Sequence, residues 1–188
     1  VIGMEFAFIY RALGTTVSVV EFMPQILGLL DEDVAEVIRD SAIERGINIY
    51  EGAKAKAIKN TLDGSKLLVV EIDGKDMHIC ADKLAMAVGR KANLDSLDLS
   101  KLGIELNERQ NGIKVNEYMQ TNVENIYAIG DVTNIIQLAH IASHQGMVAA
   151  DNITGKSHKM DYSAVPSAIF TMPEIGTVGV SERQAKAD

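Results

Sequence analysis

Apolar residues recur at steps of three and four through residues 2–13 (IGMEFAFIYRAL), aligning Phe6, Ile9, Tyr10 and Leu13. Gly14 follows, where a helix end favours positive φ. This spacing predicts a helix. Residues 15–20 (TTVSVV) are short, rich in β-branched side chains and followed by Glu21, which predicts a buried strand. A second helix is expected over 31–45, with acids in its first turn, Val34, Val37 and Ile38 as its stripe, and Gly46 at its end. Residues 48–50 read as a short strand. The order helix–strand–helix–strand points to an α/β fold with a parallel sheet.

The pattern then changes. Residues 54–60, 66–72 and 75–81 read as three strands, separated by the tight turns Asp63-Gly64 and Asp73-Gly74. They form an antiparallel meander, an insert on one face of the parallel sheet. Residues 83–88 (KLAMAV), 113–115 and 125–129 (NIYAI) are further expected strands, and 91–112 is mostly loop. Residues 137–154 read as a helix whose Ala139, Ala142, Gly146, Ala149 and Ala150 suit close packing. The polar KSHKMD after Gly155 reads as a linker. Residues 165–171 and 177–180 then open a new strand-rich unit.

Two strand ends carry candidate chemistry. A dinucleotide site needs a glycine-rich turn opening a helix and an acid about 20 residues on, at the end of the next strand. Gly3 opens the first helix and Glu21 stands 18 positions later. Only the last glycine of the fingerprint is present, and a packing glycine with a surface Glu is the plainer alternative. Asp131, after Gly130 at an expected strand end, suits a hydrogen bond to a sugar or ribitol hydroxyl, or is a turn aspartate. Gly89-Arg90 has the same form. His140 and His144 lie four apart on one helix, but no carboxylate stands at ligand spacing and no nucleophile pairs with His140, so no metal site is expected. Cys80 lacks a partner thiol, and its strand position suggests a packed, inert side chain.

Composition narrows the classes. Of 188 residues, 26 are Asp or Glu and 18 Lys or Arg, for a net charge of −8, which argues against binding a nucleic acid backbone. Hydrophobic residues at 47% and charged ones at 23% are ordinary for a globular chain. One cysteine excludes a disulfide within the chain. No apolar run approaches a membrane span and no leader pattern is visible, so a cytoplasmic location without membrane contact is expected.

Four segments, in order, carry a resemblance: VIGMEFAFIYRALGTTVSVVE, MAVGRKANLDSLDLSKLGIEL, TNVENIYAIGDVT with LAHIASHQG, and PSAIFTMPEIGTVGVSE. Together they resemble the flavin-dependent pyridine nucleotide–disulfide oxidoreductases, most closely the dihydrolipoamide dehydrogenase branch, over nearly the whole chain. The resemblance implies a Rossmann-like FAD/NAD-binding parallel sheet with the meander as insert, plus part of an α+β interface domain. It implies an NAD-binding domain over 1–117 lacking its first strand, the C-terminal part of the FAD-binding domain over 118–157, and the start of the dimerisation domain over 158–188. Ile2, Gly3 and Glu5 would belong to the NAD-binding turn and first helix, with Glu5 near the nicotinamide. Glu21 would bind the adenosine ribose, Ala55 the adenine side through its backbone, and Gly89 the nicotinamide site. Asp131 would hold the ribitol of FAD. Gln137, Leu138, Ala139 and His140 would run along the flavin, Gln137 standing where the family usually has Met.

By the same resemblance the redox-active cysteine pair would precede residue 1 and the acid/base His–Glu pair would follow residue 188. The chain would then be a central fragment with no catalytic residue of its own. The parent would pass electrons from dihydrolipoamide through a disulfide and FAD to NAD, as a homodimer serving the lipoyl-bearing acyltransferase of a 2-oxoacid dehydrogenase complex. A mercuric reductase, an NADH oxidase or a nucleotide-binding module without redox chemistry are the alternatives.

Overall fold

The computed structural model describes residues 1–95 and 97–187 and has an α/β fold in two compact units, Val1–Val88 with Pro166–Asp188, and Gly89–Val165.

In the first unit, α1 (Ile2–Ala12) leads to β1 (Val17–Val20), α2 (Glu32–Glu44) and β2 (Ile47–Tyr50). β1 and β2 pair in parallel, Val17 opposite Ile47 through Val20 opposite Tyr50. The core joins Met4, Ala7 and Phe8 of α1 to Ala35, Ile38 and Ala42 of α2, Ile47 of β2, Ile26 and Leu27 of the β1–α2 loop, and Ile169 and Ile175. Each large apolar side chain so buried contributes roughly 1.5–3 kcal/mol.

This core corrects the expected stripes. Phe6, Ile9, Tyr10 and Leu13 are exposed, the first and third stacked on each other with ring centroids 5.9 Å apart. The helix is apolar on two sides, and the side spaced Met4, Ala7, Phe8 is the one covered. In α2, Val37 likewise points outward while Ile38 is buried. The expected buried strand begins two residues late, and its residues are only partly covered.

β3 (Lys54–Asn60), β4 (Lys66–Ile72) and β5 (Lys75–Ala81) form the antiparallel meander in the order β3-β4-β5. Asp73 and Gly74 both have positive φ, as a two-residue hairpin turn requires. Cys80 is exposed, against the packed reading. Its neighbour Ile79 faces inward, and the two-residue period turns Cys80 the other way. β6 (Ser167–Ile169) and β7 (Ile175–Thr177) pair antiparallel, and the short α5 (Glu182–Ala187) follows.

Residues 83–88 form no strand. Their apolar pattern suits burial, but a ladder needs a partner backbone, and no described segment supplies one.

The second unit holds the short α3 (Leu99–Leu102), a 3₁₀ turn (Gly130–Thr133) and α4 (Ala139–Ile153). Met119, Ile141, Val148, Ala149 and Met160 make its core. The strands expected at 113–115 and 125–129 are reduced to single bridges, Leu106 with Ile113 and Gln120 with Tyr127, for the same lack of a ladder partner. The polar stretch 156–161 is largely exposed, but it is tethered at His158 and at the buried Met160. The Met160 N–H donates to the Glu117 carbonyl at 2.7 Å, and Asn152 binds both backbone groups of His158.

Candidate functional site

In the first unit the site residues gather at the start of α1 and at the C-terminal ends of β1 and β2. Ile2 and Gly3 form the first turn of α1. A Cβ on Gly3 would come within 3.2 Å of the Ala87 Cβ, so this glycine permits close packing of helix and neighbouring chain. Glu5, half-buried in the same turn, accepts the Phe170 N–H at 3.0 Å.

Glu21 lies just past β1. Its N–H donates to the Tyr50 carbonyl at 2.8 Å, its carbonyl accepts from Ala53 at 2.8 Å, and its carboxylate accepts the Met23 N–H at 2.8 Å. Gly52, at positive φ, donates to the Met23 carbonyl at 2.9 Å. The β1 and β2 ends are thus laced together around a partly exposed carboxylate. A carboxylate has about four acceptor positions, so one N–H leaves room for two hydroxyls. Ala55 is exposed on β3, beside an irregularity in the β3–β4 register.

Arg11 is the base nearest in sequence to this carboxylate on the preceding helix, and it is engaged elsewhere. Its Nε donates to the Arg45 carbonyl at 2.5 Å, and it packs under Gly46. Sequence reasoning missed Glu51, the acid at the end of β2. It accepts the Ile26 N–H at 2.7 Å and faces Arg39 at 3.4 Å, anchoring the β1–α2 loop. An acid one residue past a strand was its only signal.

In the second unit, Gly89 has φ +124° and opens the segment that carries Arg90. The Arg90 guanidinium reaches within 3.7 Å of the Asp131 carboxylate, so the Gly89-Arg90 and Gly130-Asp131 segments meet here. Gly130 has φ +72°, and a Cβ there would sit 3.2 Å from the Ala142 Cβ. Its N–H donates to Gln145 Oε1 at 2.6 Å, and its carbonyl accepts from Thr133 Oγ1 at 2.9 Å. Gln145 Nε2 donates to the Tyr162 hydroxyl at 2.8 Å. Gln145 and Tyr162 were also missed. An amide amid the small and apolar residues of α4 was the signal for the first; nothing local marks the second.

Gln137 Nε2 donates to Asn134 Oδ1 at 3.0 Å. Leu138 is the N-cap of α4 and makes no side-chain cap bond of its own. Ala139 and His140 follow, both exposed. His144 meets His158 edge-on at 6.3 Å, and His158 Nδ1 lies 2.9 Å from Asp151. Among the described residues no group of three or more His, Cys, Asp or Glu is arranged to hold a metal, and no helix is long and apolar enough to cross a membrane.

Two titration shifts matter nearby. Burial pushes the Tyr162 hydroxyl up, opposed by its bond to Gln145. Lys156, then His158, hold the Asp151 carboxyl below its usual value.

Comparison with known proteins gives a consistent result. The family described as pyridine nucleotide-disulphide oxidoreductase matches residues 1–146. Dihydrolipoyl dehydrogenase of Chlamydia muridarum is 43% identical over 186 residues, covering 99% of this chain and 39% of that protein. The crystal structure of LpdA from Mycobacterium tuberculosis superposes with a TM-score of 0.88 at 32% identity, over 99% of this chain and 40% of that one. The HOCl-induced flavoprotein disulfide reductase RclA of Escherichia coli gives 0.86 at 28% identity, over 100% of this chain and 42% of that one. The chain therefore spans about two fifths of the length of the curated relatives it matches.

Proposed function

This chain belongs to the pyridine nucleotide-disulphide oxidoreductase family, and from that premise we propose that it is the central part of a flavin-dependent dihydrolipoamide dehydrogenase that reduces NAD. The likeness to dihydrolipoyl dehydrogenases along 99% of the chain supports the substrate. The observation that carries the cofactor reading is the Asp131 turn. It is pinned from inside by Gln145 and Thr133, yet leaves the carboxylate half-exposed in the same unit as the start of α4.

The residues fit both groups. Asp131 would accept from the ribitol hydroxyls of FAD. Residues 137–140 would run along the flavin, the first N–H groups of α4 facing its pyrimidine oxygen, where a helix start favours negative charge. Gln137 is tied to Asn134 and would hold this entrance to the helix in shape. When bound, the flavin supplies a two-electron relay between a thiol pair and the nicotinamide. On the NAD side Glu21 would accept from the two adenosine ribose hydroxyls, and the Ala55 backbone would touch the adenine. Ile2 and Gly3 would let the α1 turn approach the pyrophosphate, while Glu5 would border the nicotinamide. Glu5 is already oriented by the Phe170 N–H.

The parent would be a cytoplasmic homodimer that oxidises the lipoyl group of an acyltransferase in a 2-oxoacid dehydrogenase complex. Its NAD-binding, FAD-binding and dimerisation domains would meet this chain at 1–117, 118–157 and 158–188, a division by ligand that differs from the two compact units. With Cys80 as its one cysteine, the 188-residue chain would be inactive alone. The test is the absorbance of the purified full-length protein. A bound flavin spectrum bleached by NADH supports the reading. A colourless protein that still binds NAD would make the chain part of a nucleotide-binding module.

A further inference from the structure

We propose that Gln145 is the positioning residue of the flavin side, fixing the Gly130–Asp131 turn so that the Asp131 carboxylate meets the ribitol hydroxyls. This rests on the reading of Asp131 just given. Gln145 has no exposed surface, although it sits in α4 among Ile141, Val148 and Ala149, where an apolar side chain would serve the core equally. Burying an amide is costly unless both its ends are bonded. Here both are. Oε1 takes the Gly130 N–H at 2.6 Å, and Nε2 gives to the Tyr162 hydroxyl at 2.8 Å.

The turn is seated on one face of α4. Gly130 meets Ala142, Ile129 meets Gly146, and Gln145 lies between them on the same face. Thr133 holds the Gly130 carbonyl, and Asn134 donates its N–H to the Asp131 carbonyl at 3.0 Å. Both backbone groups of Gly130 are therefore fixed, and with them the direction in which Asp131 leaves the turn. Gln145 has no bond to the carboxylate itself, so it acts on the ligand only through the backbone.

The chemistry predicts which substitutes work. Gln145→Glu keeps the acceptor for Gly130, and the Tyr162 hydroxyl can rotate to donate to the new carboxylate. Gln145→Leu fills the space and loses both bonds. The experiment is a fluorescence titration of the flavin-free full-length protein with FAD, with thermal melts of the same samples. It compares wild type, Asp131→Ala, Gln145→Leu, Gln145→Glu and the Asp131→Ala/Gln145→Leu double variant.

Asp131→Ala and Gln145→Leu are each expected to weaken FAD binding about tenfold. Gln145→Glu should stay within about threefold of wild type, and the double variant should be no weaker than Asp131→Ala alone. The melting cost of Gln145→Leu should persist in both backgrounds. If Gln145→Leu does not fold, Tyr162→Phe reads the same chain of bonds, with about a threefold loss in wild type and none beside Asp131→Ala. Wild-type affinity in Gln145→Leu while Asp131→Ala is impaired would overturn the proposal alone, as would equal losses from Gln145→Leu, or from Tyr162→Phe, in both backgrounds. Unchanged affinity in Asp131→Ala would overturn the ribitol reading and this proposal with it.

Discussion

The Arg90 guanidinium stands 3.7 Å from the Asp131 carboxylate, with side-chain exposures of 62% and 50%. Such a pair is well solvated, lacks hydrogen-bond geometry and adds little to stability. Arg90→Ala is expected to cost no more than about 1 kcal/mol in urea unfolding, a cost that shrinks as salt is added. A loss of several kcal/mol would mean that Arg90 makes a buried contact this geometry lacks.

On the proposed NAD reading, Glu21 would set the choice of nucleotide. A carboxylate at the end of β1 accepts from ribose hydroxyls and repels a 2′-phosphate, and Arg11 is committed to the Arg45 carbonyl. The full-length protein should favour NAD over NADP by at least about tenfold in kcat/KM, the size of one charge-assisted hydrogen bond. Glu21→Ala should reduce that preference. A preference that survives intact would assign the discrimination to another residue.

Gly112 and Gly3 differ in how much room they have. A Cβ on Gly112 would run into the backbone carbonyl of Thr133, in the turn that carries Asp131. Gly112→Ala should cost about 1–3 kcal/mol or more, because the neighbour is backbone. Gly3→Ala meets only the Ala87 methyl at 3.2 Å and should cost less. Denaturant midpoints of the two variants decide the order.

Reading such constraints from sequence worked where they were local. The meander strands have the bounds expected of them because Asp-Gly turns that delimit them are encoded within a few residues, as the positive φ of Asp73 and Gly74 shows. Residues 83–88 failed because an apolar run specifies burial, and pairing needs a second strand. The Phe6 stripe failed because α1 is apolar on two sides and spacing alone does not say which is covered. Glu21 was legible as an acid just past a strand, and Ala142 and Gly146 as close-packing positions, whereas Gly130-Asp131 was read at the end of a strand that is only a single bridge. Gln145 was not legible, since its meaning lies in a backbone N–H fifteen residues away.

Acid should loosen the end of α4 through Asp151. Its carboxyl is held low by Lys156 first and His158 second. A lowered folded value means that this stability is complete above the ordinary carboxylate pKa of 3.8 and is lost as pH falls through the folded value. The urea midpoint of wild type should exceed that of Asp151→Asn at neutral pH, and the two should converge well below about pH 4. A gap that persists in strong acid would show that the ion pairs are not its source.

The most direct measurement is NADH formation by the full-length protein given dihydrolipoamide and NAD, with mercuric ion and dioxygen tested as alternative acceptors from NADH. Rapid lipoamide-dependent NADH formation is expected, with slow turnover of either alternative, and none from the 188-residue chain alone. Failure to oxidise dihydrolipoamide by a flavin-loaded protein that reduces mercuric ion or dioxygen efficiently would contradict the proposed function.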